Sequence, residues 1–100
     1  MNRAVGDSRP RFTPRQGQYL AFIHAYTEVN GRPPAEADMQ RFFRVTPPVV
    51  HQMVLTLDHA GLISRQPGMA RSIAIRVERA DLPILNPGHA QPVKFSVQRY

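Results

Sequence analysis

Apolar residues fall along this chain in two successive rhythms, first every three to four residues and later every second one. Tyr19, Phe22, Ile23 and Tyr26 stand at i, i+3, i+4 and i+7, and Leu20 widens the stripe, as on one face of a helix. Thr13, Pro14 and Gln16 mark its start, because a Thr cap, a Pro at the first position and a Gln at the third form a capping box. Asn30-Gly31 tolerates a left-handed cap, so the first helix is expected over about 14–29.

Arg32-Pro33-Pro34 is a stiff connector, and a second helix is expected from Ala35 to about Phe43. Glu36 and Asp38 lie in its first turn, where the helix dipole favours acids, and Met39, Phe42 and Phe43 form its apolar stripe. After a turn at Arg44-Val45-Thr46, Thr46-Pro47 repeats the start signal, and a third helix runs to about Ala60 with Gly61 as its stop. Pro48 is tolerated at its second position because first-turn N–H groups have no partner within the helix. Val50, Met53, Val54 and Leu57 are its buried stripe. The period then changes to two: Leu62–Gln66 reads as a strand, Pro67–Ala70 as a turn, and Ser72–Val77 as a strand with Ile73, Ile75 and Val77 on one face. Three helices followed directly by a hairpin describe a mainly α fold with a small β-hairpin, the three-helix winged helix-turn-helix.

Residues 1–11 read as a basic arm carrying Arg3, Arg9 and Arg11, residues 12–79 as the folded domain, and residues 80–100 as an extension. Within the extension Leu82-Pro83-Ile84-Leu85 is a candidate cover for the core. Val93–Tyr100 alternates like a strand whose partner the sequence does not give.

Composition narrows the function. At 42% hydrophobic residues the chain is globular, and no apolar run approaches the roughly 20 residues that cross a bilayer. There is no apolar leader segment and no Cys, so a single domain free of disulfides, in the cytoplasm and off the membrane, is expected. Thirteen basic residues against seven acidic give a net charge of +6, and all the basic residues but Lys94 are Arg. Arg matches phosphates and base edges with a planar fork of donors, which fits a nucleic-acid binder. An Arg-rich solvated surface of a GC-rich genome gives the same numbers.

The spacing of helix two, a three-residue turn and helix three is that of a helix-turn-helix, whose second helix enters the major groove. The outward residues early in helix three are Thr46, Pro48, Val49, His51 and Gln52. Gln52 is suited to pair with adenine through two hydrogen bonds, His51 to donate or accept at a base edge, Val49 to press on a thymine methyl, and Thr46 to reach a phosphate or base. Against this, many helix pairs with short turns bind no DNA, and an exposed His51 is as ordinary as a base-reading one.

From here the residues carry a resemblance. Phe12-Thr13-Pro14-Arg15-Gln16 with Tyr19-Leu20 and Ile23 resembles the opening of the LexA repressor DNA-binding domain family. Gly31-Arg32-Pro33-Pro34, Met39-Gln40-Arg41, Thr46-Pro47, Leu57 and Gly61-Leu62-Ile63 resemble its later landmarks in order, so that the match spans about residues 12 to 77. The resemblance implies a winged helix-turn-helix transcription regulator of bacterial type, usually a repressor, that binds double-stranded DNA. By position it makes Thr46, Pro48, Val49, His51 and Gln52 the base readers. It places backbone contacts from the wing at Arg65, Met69, Ala70 and Arg71, and loss of an Arg71 phosphate contact would lower the salt dependence of binding by about one unit.

The chain also departs from that family. Pro48, His51 and Gln52 stand where polar or acidic readers are usual, which implies a different operator. Ala35 replaces a Ser or Thr cap, Phe43 a small residue, and Leu55 a polar or basic one. No counterpart of the family's peptidase domain, with its Ser and Lys pair, is expected in these residues: few follow the wing, and Lys94 is the only Lys. No enzyme, cofactor or metal is expected, since His24, His51, His59 and His89 lack ligand spacing. Two further readings stay open. One is a winged helix that docks a protein instead of DNA, favoured by the apolar Pro48, Val49 and Leu55; the other is a homodimer formed through Val93–Tyr100.

Overall fold

Helix α1, Pro14–Asn30, begins at the expected capping box: the Gln16 N–H donates to Thr13 Oγ1 at 3.0 Å, and the Thr13 N–H donates to Gln16 Oε1 at 2.9 Å. The two bonds satisfy donors that a helix end otherwise leaves open, and a Thr→Ala change at such a cap costs about 1 kcal/mol. The computed structural model describes residues 12–86, so the expectations for the 1–11 arm and for Val93–Tyr100 lie outside the described residues. Helix α2 is Glu36–Phe43 and helix α3 is Pro47–His59; strands β1, Ile63–Ser64, and β2, Ala74–Ile75, follow, and then a 3₁₀ turn at Arg79–Asp81. The three helices and the small antiparallel sheet form a winged helix-turn-helix.

Each helix is closed by a residue in the left-handed region. After α2 it is Arg44, at φ 58°, and the Val45 N–H then reaches back to the Gln40 carbonyl at 3.2 Å. After α3 it is Gly61, at φ 76°, and the Leu62 N–H bonds to the Leu57 carbonyl at 3.0 Å. Both are six-to-one closures that satisfy a carbonyl the helix end would leave open. Glycine takes this conformation without strain; Arg44 does not.

The core gathers the three stripes. Tyr19, Leu20, Ile23, Met39, Val50, Val54, Leu57 and Ile63 are fully buried, and each such side chain contributes about 1.5–3 kcal/mol of burial. Phe43 belongs here because its ring stacks on Tyr19, with centroids 4.0 Å apart and planes 11° apart. Phe22 and Phe42 extend that aromatic group. Ile73 is buried, and Ile75 and Val77 pack against the core from the same side, as their alternation requires.

The wing is shorter in sheet than expected. Ile63 pairs with Ile75 and Ser64 with Ala74, and one further bond joins the Arg76 N–H to the Leu62 carbonyl at 2.9 Å. The rungs stop there because the next backbone groups are engaged elsewhere. The Gln66 N–H donates to Ser72 Oγ at 2.9 Å, and the Met69 N–H donates to the Gln66 carbonyl at 3.0 Å. Arg71 at φ 58° then turns the chain back.

Beyond the wing, Leu82 and Leu85 pack on the core, whereas Ile84 is exposed. Gln18 holds this segment with both ends of its amide: Nε2 donates to the Ile84 carbonyl at 3.0 Å, and Oε1 accepts from the Asn86 N–H at 2.8 Å. Phe12 and Pro83 close over Gly17, where an added Cβ would meet both at 3.0 Å.

Candidate nucleic-acid interface

Helix α3 presents its first two turns to solvent. Thr46, Pro48, His51 and Gln52 are exposed, and Val49 is 46% exposed although apolar. The opposite face, Val50, Val54 and Leu57, is buried, so the helix is fixed along one side and open along the other. The structure brings all five sequence-predicted readers onto one surface.

The start of α3 limits how it meets a phosphate. Pro47 and Pro48 carry no N–H, and the Val49 N–H is held by the Thr46 carbonyl at 3.1 Å. The first three helical positions therefore offer no free backbone donor, unlike the usual anion-binding N-terminus. The Thr46 side chain, however, makes no capping bond to the helix, which leaves its hydroxyl available at that point.

Two hollows flank this exposed face of α3. One lies between the first turn of α1 and the outer side of α3 and is lined by Thr13, Gln16, Pro48, Val49, Gln52, Met53 and Thr56. The sequence gives Thr13 and Gln16 a capping role only; that they also border the exposed face of α3 follows from the packing of α1. The other is a cleft of 290 Å³ between the start of α2, His51 and the wing residues Arg65 and Gly68–Ile73. Leu55 is half-buried on the α3 flank beside Gln52, Thr56 and His59.

The wing residues divide into two groups. Met69, 58% exposed, and Ala70 form the open tip. Arg65 and Arg71 are instead drawn toward the body. Arg65 Nε lies 3.3 Å from Asp58 Oδ2, and only 16% of its side chain is exposed. Arg71 Nη1 donates to the Tyr26 hydroxyl at 3.1 Å and to the Pro33 carbonyl at 3.2 Å, and it lies 3.2 Å from Asp38 Oδ2. Its guanidinium carbon also sits 6.0 Å from the Tyr26 ring centroid.

Asp38 is the hub of this fastening. Ala35 has no side-chain acceptor, so α2 starts without the Ser or Thr cap; the Asp38 carboxylate supplies the other half by accepting from the Ala35 N–H at 2.8 Å. Asp38 also pairs with Arg41 at 2.6 Å. Burial pushes its carboxyl upward, but the Ala35 N–H and the Arg71 and Arg41 charges outweigh this and hold it below its ordinary value.

An exposed, one-sided third helix, a short turn before it and a wing beside it make up the geometry of a winged-helix DNA reader. The family model described as the LexA DNA binding domain matches residues 10–72. The chain belongs to the LexA DNA binding domain family. Relatives include the LexA repressor of Thermosipho africanus, 38% identical over 74 residues that cover 72% of this chain and 37% of that protein. The LexA repressor of Thermosipho melanesiensis is 34% identical, over 74% of this chain and 38% of its own length. LexA repressor 1 of Pseudomonas putida is 36% identical, over 75% of this chain and 40% of its own length. The chain thus covers two fifths or less of each of these relatives. Within the LexA family domain no described helix is long and apolar enough to cross a membrane, and no described group of His, Asp and Glu is arranged to hold a metal ion.

Proposed function

We propose that this LexA-family domain binds double-stranded DNA sequence-specifically as a transcription repressor in the cytoplasm, without catalysing a reaction. Helix α3 lies in the major groove, and the wing tip lies on the backbone. The observation that carries this reading is the exposure of Thr46, Pro48, Val49, His51 and Gln52 on a helix whose opposite face is fully packed. Gln52 reads adenine, Val49 meets a thymine methyl, and Thr46 serves the adjacent phosphate or base. Met69 and Ala70 approach the backbone at the wing tip, Arg65 contributes charge from its base, and Arg71 acts by holding the wing in place. Two copies on paired half-sites, joined through Val93–Tyr100, give the affinity that one small domain lacks.

Titration of a labelled generic duplex, followed by anisotropy at low and near-physiological salt, tests the reading. A domain with several phosphate contacts binds at low salt and loses affinity steeply as salt rises. Absence of binding at low salt would overturn it. The exposed apolar pair Pro48 and Val49 favours the second reading, a protein-docking surface, which that result would support.

A further inference from the structure

One side chain of the reading face is already held by another element. His51 Nδ1 lies 3.2 Å and 3.3 Å from the two carboxylate oxygens of Glu36, the first residue of α2. The pair bridges the two helices of the helix-turn-helix unit and borders the cleft that the wing closes. An ionised carboxylate only accepts hydrogen bonds, so the ring nitrogen facing it carries the hydrogen. In the neutral ring this leaves Nε2 as an acceptor. The shape of the imidazole directs Nε2 away from Glu36, and 56% of the side chain is exposed.

We propose that Glu36 is a positioning residue for base recognition: by holding Nδ1–H of His51 it makes Nε2 an acceptor that selects a base bearing an amino group at one operator position, and protonation of the ring turns that choice to guanine. The inference rests on the DNA-binding reading above. Adenine and cytosine each present an amino donor in the major groove, whereas guanine presents only the N7 and O6 acceptors. A neutral His51 matches the first pair and opposes guanine; the doubly protonated ring donates at Nε2 and reverses the match. The charged groups around this cleft are Glu36, Arg65 and Arg71. Both arginines face carboxylates of their own, Asp58 and Asp38. Such a pairing gives α3 a specificity that His51 alone lacks, because a free imidazole exchanges its two tautomers.

The test uses the full chain and an operator selected from random duplexes. Duplexes carrying each base at every operator position are compared at about pH 8 and about pH 5.5, which bracket the range where histidines change charge. The wild-type domain should favour adenine or cytosine over guanine about fivefold at one position at the higher pH, the effect of one hydrogen bond, and reverse at the lower. Glu36→Ala should remove the high-pH preference at that position. Glu36→Gln keeps an acceptor oxygen without the charge, so the preference should survive. In a His51→Ala background Glu36→Ala should change nothing there, and thermal melts check that each variant is folded. A base profile indifferent to pH and to Glu36→Ala overturns the proposal. So does a uniform gain in affinity on removing Glu36, with or without His51, because that marks simple repulsion of phosphates. A wild-type domain that binds no duplex at all overturns the DNA-binding reading itself, and the inference falls with it.

Discussion

Arg71 Nη1 and Asp38 Oδ2 lie 3.2 Å apart, and through them the wing is fastened to the first turn of α2. The same guanidinium bonds to Tyr26 on α1 and to the Pro33 carbonyl in the connector. One side chain thus ties the wing to α1, the connector and the first turn of α2. By position the family resemblance implies a contact to the DNA backbone for Arg71; by geometry its donors are directed inward.

Arg71→Ala should therefore lower the melting temperature and weaken DNA binding, yet change the salt dependence by clearly less than the one unit that a lost phosphate contact gives. Anisotropy titrations across a salt series check this. A full unit of change would mean that the side chain leaves Asp38 to meet a phosphate on binding.

Asp38 gives the domain an acid limit. Its carboxyl is held below its ordinary value of 3.8 in the folded state, so its contribution is complete above that value and is lost as pH falls through the lower folded one. Chemical denaturation from neutral pH downward should show stability falling below about pH 4. In Asp38→Asn this part of the fall should be absent and neutral-pH stability lower; equal slopes in both proteins would count against the assignment.

Gln52→Ala should relax base preference at a single operator position, at a cost of about 1–3 kcal/mol there, and leave the other positions unchanged. Selection from random DNA with both proteins measures it. An identical preference profile would remove Gln52 from the readers.

Ser72 Oγ accepts from the Gln66 N–H and contacts the Gln66 and Met69 carbonyls at 3.2 and 3.0 Å, which makes it the clasp of the wing loop. Ser72→Ala should barely move the melting temperature but speed amide exchange at Gln66. It should also weaken DNA binding about two- to tenfold, as expected when an ordered loop must be immobilised on binding. Unchanged exchange at Gln66 would show that the loop holds without the clasp.

Arg44 holds a left-handed φ of 58° that Gly takes freely. Arg44→Gly should raise stability by about 0.5–1 kcal/mol, the difference between the strain relieved and the greater freedom of unfolded Gly. Urea unfolding reads this directly.

The helices and the identity of the fold were legible in the sequence because their signals are local. A capping box such as Thr13 with Gln16, a stripe such as Tyr19, Phe22 and Ile23, and a stop such as Asn30-Gly31 act through neighbours within a few residues along the chain. The exposure of Thr46, Pro48, Val49, His51 and Gln52 followed for the same reason, since a helix with one buried stripe must expose the rest. The tertiary structure decided what depends on residues distant in sequence. It set the short wing ladder, because Ser72 captures backbone groups that alternation alone would pair with the opposite strand. It gave Phe43 a reason by stacking it on Tyr19, and it turned Arg71 inward onto Asp38 and Tyr26, the latter 45 residues away along the chain. It also joined His51 to Glu36 across two helices. Periodicity states which face of an element is buried, but only packing brings side chains from separate elements within hydrogen-bonding distance.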